Sequence, residues 1–508
     1  MALLICPECG KKVSEYASAC PECGCPINII KSKQMQQQPA EKPIEKLSDL
    51  VQNPDVRANS ENITESKLRD WYSAADQYLR QKQYDEAIPY LRKAAECGYA
   101  PAERDLGWCY EYGHGVELDC KKAYNYYMSA ANKGNAIAKF YLSCMYDAGK
   151  YVQKDYYESF KWLLSAAEQG HAKSQSNLGF YYETGRGVVR DYSMAVKWYQ
   201  KAVEQGHPRA FSNLGYCYEK GLGVTQNYNK AFEYYNQAAQ KNDSSGMCNL
   251  GICYEKGYGT SVNISLAFQW YLKGAQAGST QAMNNLGYCY SEGVGTIKDL
   301  NQAYYWYQKG ADSGNKMAQY GVALCYERGE GTTKNCYNAY EYALKSANQG
   351  YKFAQNLVGN YYYFGTGVAS DYAEAAKWYK CASDQGYPVA QYNLGVCYEN
   401  GYGVNQDYTE AFRLYRLSAS QDNAEAMNNL GSLYYNGRGV TENKDIAFDY
   451  YMKSAQKGYT MALSNVGLCY EYGCGVISNR SEAIRYYRMA AEKGHQRAID
   501  ALKRLGVN

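Results

Sequence analysis

The chain lacks the long apolar run that would carry it through a bilayer. No stretch of about 18 apolar residues occurs among its 508, so no transmembrane helix is expected. Its opening, from Met1 to Cys6, stays apolar for only a few residues before charge follows. That is too short for a secretory signal, and the expectation is a cytoplasmic protein. Net charge is also nearly missing: 54 basic residues meet 51 acidic ones, leaving +3. A general nucleic-acid binder carries a basic excess or a basic stripe, so that class is disfavoured. Histidine is scarce, with four residues. No Ser-His-Asp set, His-Glu-x-x-His motif or carboxylate pair stands out, and no enzymatic activity is expected.

What the chain has in abundance is periodic. Glycines stand at Gly113, Gly149, Gly185 and onward to Gly473, each 36 residues from the last over eleven copies. Two residues on, ten of the eleven copies carry a second glycine, with Tyr151 the exception. Tyrosine fills one column in all eleven, from Tyr110 to Tyr470. Alanine fills another in ten, from Ala123 to Ala483, with Ser159 the exception. A fixed period of this length marks a repeat array.

Each period reads as two helices. In residues 387–422, Ala390, Leu394, Cys397 and Tyr398 fall on one helical face. Ala411, Tyr415, Ser418 and Ala419 repeat that spacing, giving a second helix whose small residues allow close approach. Four residues before each second-helix alanine stands Asp or Asn, from Asp119 and Asp155 to Asn443 and Asn479. These residues are preferred N-caps. The second helix ends at a glycine column in which Asn242 and Asp422 substitute, as a left-handed C-cap requires. Four columns hold 40 of the 47 glycines. A phosphate-binding loop needs a strand before its glycines, and these follow a helix.

The pattern A-x-x-x-L-G-x-x-Y-x-x-G-x-G-V-x-x-D-x-x-x-A-x-x-W-Y-x-x-A-A-x-x-G resembles the Sel-1-like repeat, a relative of the tetratricopeptide repeat. Residues 99–494 carry eleven copies of it. Upstream, Trp71, Ala74, Ala75, Tyr78, Ala87, Leu91 and Ala94 fit a tetratricopeptide-like first repeat over residues 66–98, with a loop four residues shorter. Downstream, Ala498 and Leu502 start a capping helix within residues 495–508. The resemblance implies an all-α superhelical solenoid with first helices inside. It also implies a non-catalytic scaffold or adaptor that holds a protein or peptide partner.

Ahead of the array, residues 6–10 and 20–24 both read CPECG. Cys6, Cys9, Cys20 and Cys23 form two Cys-x-x-Cys knuckles that resemble a short zinc ribbon over residues 1–28. Four thiolates suit one structural, tetrahedral zinc ion. A redox pair would need a βαβ context that is missing. Residues 29–65 contain no aromatic residue and read as a disordered linker. An alternative function has the ribbon touching nucleic acid while the repeats recruit a protein.

Several columns invite a chemical reading. Cys109, Cys217, Cys253, Cys289, Cys325, Cys397 and Cys469 share one position and read as small core residues rather than redox sites. A ladder of asparagines, Asn177 to Asn465, either ties repeats together or clamps a peptide. An acidic column, Glu111 to Glu471, reads as structural or solvated, and its charge would favour a partner segment with basic residues. The column after the first-helix glycine is the irregular one. It runs Trp108, Cys144, Phe180, Tyr216, Ile252, Tyr288 and Leu324, then Asn360, Val396, Ser432 and Leu468. Variation on a uniform scaffold suits a binding surface. Trp108, Phe180, Tyr216, Ile252, Tyr288 and Leu324 are therefore the candidate partner contacts. The second repeat, with Ser143, Tyr151 and Ser159 off pattern, should stack differently from its neighbours.

Overall fold

The structure, a computed structural model, describes residues 3–5, 12–14 and 64–507. The expected zinc ligands Cys6, Cys9, Cys20 and Cys23, and the expected linker up to residue 63, lie outside the described residues. The chain divides into two compact units, Met1–Tyr99 and Ala100–Asn508.

In the first unit, strands Leu3–Ile5 and Lys12–Ser14 pair antiparallel, with Ile5 opposite Lys12. Helices Glu65–Arg80 and Tyr84–Glu96 form a pair whose core is Ala75, Ala87, Leu91 and Ala94. Only residues 81–83 connect them, and Lys82 turns the chain at φ 60°.

The second unit is a solenoid of eleven helix pairs, from Ala100–Tyr112 with Cys120–Asn132 to Thr460–Tyr472 with Arg480–Glu492. A final helix, Gln496–Arg504, follows. The local causes of each element repeat. Every second helix starts on an Asp or Asn whose side chain accepts an amide of the first turn, as Asp191 does from Met194 and Asn443 from Ile446. Such a cap is worth about 1 kcal/mol. Second helices end where the chain turns left-handed. Gly134 does so at φ 91°, and Asn242 and Asp422 do so at 61° and 69°. Residues 113–119 and their equivalents join the helices of a pair.

The core is built from small side chains, at least one leucine or valine per first helix, and second-helix tyrosines such as Tyr127, Tyr199 and Tyr235. Ala123, Ala195, Ala231 and Leu214 have no exposed surface. Burying a leucine fully contributes about 2–3 kcal/mol. Each first helix packs against the second helix of its own pair and, from Ala136–Ala148 onward, of the preceding one. In the middle of the array first helices also touch each other, as Thr280–Glu292 touches Lys316–Arg328. The first-helix face is thus the inner face there.

The loops lock neighbouring repeats. A β-carbon on Gly187, at φ 67°, would fall onto the Tyr156 carbonyl that starts the preceding second helix. Gly223 stands in the same way against Tyr192. The one non-glycine at this column, Tyr151, keeps the left-handed turn at φ 67° and lays its ring 5.5 Å from that of Tyr124.

Candidate interaction face

The first-helix face is made of columns that the fold uses and columns that it leaves open. The acidic column is used. Tyr127 donates to Glu111 at 2.8 Å, Tyr199 to Glu183 at 2.6 Å and Tyr235 to Glu219 at 2.8 Å. Tyr271, Tyr415 and Tyr487 do the same for Glu255, Glu399 and Glu471. Burial raises the Glu183 pKa, and the bond from Tyr199 opposes that rise. These carboxylates sit within the helix pair, a structural role.

The donor tyrosine lies over the glycine of the first helix. A β-carbon on Gly107, Gly215, Gly251 or Gly431 would meet the partner ring at 2.9 Å or less. The glycine is replaced in two repeats, by Ser143 and Ala323, and in those two the ring is missing, with Leu163 and Ala343 in its place. The hydroxyl then comes from the next repeat. Tyr181 donates to Asp147 at 2.6 Å and meets the Ser159 hydroxyl at 2.7 Å. Tyr361 comes near Glu327 without a hydrogen-bond partner for its buried hydroxyl among the described residues, and burial together with that carboxylate raises its pKa. Both tyrosines occupy the cysteine column. The second repeat therefore meets the third through its own network.

The asparagine ladder is also engaged. Asn393 donates to Asn356 at 3.0 Å and Asn465 to Asn428 at 2.9 Å, each across a repeat boundary. Asn429 donates to Tyr415 at 3.1 Å. The cysteine column is buried throughout, and burial pushes the Cys109, Cys217, Cys253 and Cys289 thiols up to about 12. Histidines His171, His207 and His495 start first helices, and His171 pairs with Ser174 at 2.8 Å.

The irregular column remains open at its aromatic positions. Phe180 and Tyr216 are each 39% exposed and Tyr288 is 51% exposed. Trp108, Ile252 and Leu324 are half-buried; the latter two pack onto neighbouring core clusters. Further along, Asn360 is drawn into the fold, accepting from Tyr379 at 2.9 Å. Several recesses open on this face, among them one of about 330 Å³ beside Leu468. Another, of about 560 Å³, lies beside Phe180, between Leu163, Tyr181 and Arg186. A third, of about 450 Å³, lies between Tyr288 and Leu324. Among the described residues no cluster of His, Cys, Asp and Glu could hold a metal, and no helix is long and apolar enough to cross a membrane.

Of the six column residues named from the sequence, Phe180, Tyr216 and Tyr288 are exposed and Trp108, Ile252 and Leu324 are half-buried, while the tyrosine lock was not anticipated. Its signal was present: the tyrosine 20 residues beyond each glycine vanishes wherever the glycine does.

No curated protein matches the chain. Two solved structures are similar to it. One is c5321, a protective antigen present in uropathogenic Escherichia coli strains that displays an SLR fold. It is 30% identical with TM-score 0.59, over 81% of this chain and 89% of that one. The other is a Sel1 repeat protein from Oxalobacter formigenes, 30% identical with TM-score 0.42, over 59% of this chain and 87% of that one. The Sel1 repeat matches residues 76–99, and then eleven consecutive segments from 100–135 to 460–495. With repeats across most of its length, the chain belongs to the Sel1 repeat family.

Proposed function

We propose that this protein is a non-catalytic scaffold that holds a segment of a protein partner on the first-helix face of its N-terminal two-thirds. Arrays of stacked helix pairs present extended binding surfaces. The observation that carries the reading is the contrast between columns. Glutamates, asparagines and cysteines of the inner face are used by the fold, whereas Phe180, Tyr216 and Tyr288 stay exposed in one row. Aromatic side chains of this kind are the usual anchors of an interface. The cysteines, which fill one core column in seven of the eleven repeats, fit a reducing compartment such as the cytoplasm.

The test is recovery of partners from the source cell with the full chain and with Phe180→Ala, Tyr216→Ala and Tyr288→Ala combined. The variant must retain the wild-type melting profile. Loss of specific partners is expected. Unchanged recovery overturns the assignment.

Cys6, Cys9, Cys20 and Cys23 are proposed to hold one zinc ion. Four thiolates in paired Cys-x-x-Cys spacing match its tetrahedral preference. In support, the first knuckle falls in the connection between strands Leu3–Ile5 and Lys12–Ser14, which return antiparallel. Such an ion would hold the two knuckles together. Native mass spectrometry of protein prepared without chelator should find one zinc per chain, lost in Cys20→Ser. A metal-free mass sinks the proposal.

A further inference from the structure

The recess between helices Thr280–Glu292 and Lys316–Arg328 exists because two columns fail there together. Gly321 stands where most repeats carry the ladder asparagine, and Ser291 stands where most carry the acidic residue. The Tyr307 ring closes against the bare backbone, so that a β-carbon on Gly321 would lie 2.7 Å from its Cδ1. Beside that contact lies open space of about 450 Å³.

The walls of that space suit a cation. Tyr288, Tyr320 and Tyr351 contribute rings, and a ring face attracts a positive charge. Glu292 is exposed, and among the described residues no cation lies within ion-pair distance of it. Glu330 meets Arg328 only at 3.8 Å, and the Arg328 side chain is itself 55% exposed. Glu255 also lines the recess but is engaged. Lys256 and Tyr271 both approach it at 2.6 Å, and although burial pushes its pKa up, these bonds hold it below the ordinary value. Glu292 and Glu330 therefore face the recess with Arg328, which also lines it, as the one guanidinium on its wall. In the recess beside Phe180 the wall carries Arg186 and Arg209, paired with Asp147 and Asp243.

We propose that the recess between Tyr288 and Leu324 takes a lysine or arginine side chain of the bound partner segment, with Glu292 and Glu330 as its counter-charges and the tyrosine rings as its walls. This rests on the reading of the first-helix face as the binding surface. The preference for a basic segment thus comes from two glutamates outside the tyrosine-bound column.

The experiment uses the immobilised full chain and pools of 12-residue peptides, randomised except for a fixed central Arg, Lys, Gln or Glu, with retention read by mass spectrometry. The Arg and Lys pools should be retained about tenfold over the Gln pool, and the Glu pool least. That preference should collapse in Glu292→Gln/Glu330→Gln, while the melting profile stays unchanged, and should weaken with added salt. Retention that shows no cation preference, or a preference the double variant keeps, overturns the proposal. A Phe180→Ala/Tyr216→Ala variant, altered well away from the recess, separates the two readings. If it lowers retention of all pools alike while no cation preference exists, the groove stands and the recess assignment falls. If no pool is retained by the wild type, both fall.

Discussion

The Tyr235 ring lies so close to Gly215 that a β-carbon there would be 2.8 Å from Cδ1, and its hydroxyl reaches on to Glu219 at 2.8 Å. The two residues are thus one device. The glycine admits the ring, and the ring carries the hydroxyl to one oxygen of a carboxylate whose other oxygen meets Lys220 at 2.6 Å.

Gly215→Ala should therefore destabilise the array by about 1–3 kcal/mol through overpacking. Tyr235→Ala should cost about 3–5 kcal/mol through the cavity and the lost hydrogen bond to Glu219. Together they should cost less than the sum, because alanine at 215 is harmless once the ring is gone. Ala323 with Ala343 is the natural form of that double change. Urea unfolding of the four proteins measures the coupling, and strict additivity would refute the device.

Alkaline pH should unfold the protein before ordinary base damage does. Thiols of the cysteine column are held up to about 12 by burial, in Cys217, Cys253, Cys289, Cys397 and Cys469. The folded state keeps these protons while the unfolded chain releases them near its ordinary value. Stability from the column is therefore complete below about pH 8.5 and lost as pH rises towards 12. Urea midpoints from pH 7 to 10.5 should fall progressively. Replacing Cys217, Cys253 and Cys289 by alanine should flatten the decline.

Tyr181→Phe should loosen the second and third repeats without altering the rest. It removes one bond to Asp147 and one to Ser159, a loss of about 1–3 kcal/mol. Contacts run only between neighbours, so the array need not unfold as a single unit. Hydrogen exchange should quicken across residues 136–207 and leave residues 388–495 unchanged. A uniform change along the chain would show that the array is fully cooperative.

The period, the helix pairs and their caps were legible because each depends on short-range chemistry. Asp191 caps its own first turn, and Gly185 turns its own helix end at φ 73°. The acidic column was legible only as structural or solvated from its regularity, and its partner was not legible, since Tyr235 meets Glu219 across two helices. The relocation of the hydroxyl to Tyr181 crosses a repeat boundary and leaves only a missing tyrosine and a misplaced one in the sequence. The recess at Gly321 was hidden for a similar reason. A glycine in a helix reads as a weak residue until the ring that leans on it is known.

The close seat of Gly187 on the Tyr156 turn divides the chain into segments of fixed length and segments of free length. Between Tyr156 and Gly187, or Tyr192 and Gly223, an added residue would pull the loop off its seat and misalign every later seam. Between Gly187 and Tyr192 the one fixed point is the Asp191 amide, which donates to the Tyr182 carbonyl at 2.9 Å. Val189 sits there 79% exposed, as Ile297 does between Gly295 and Leu300 at 87%. Such an array lengthens by whole periods, which leave every seam in register, or by tags and domains grafted at these tips. Linkers and labels belong at residues 188–190 and their equivalents.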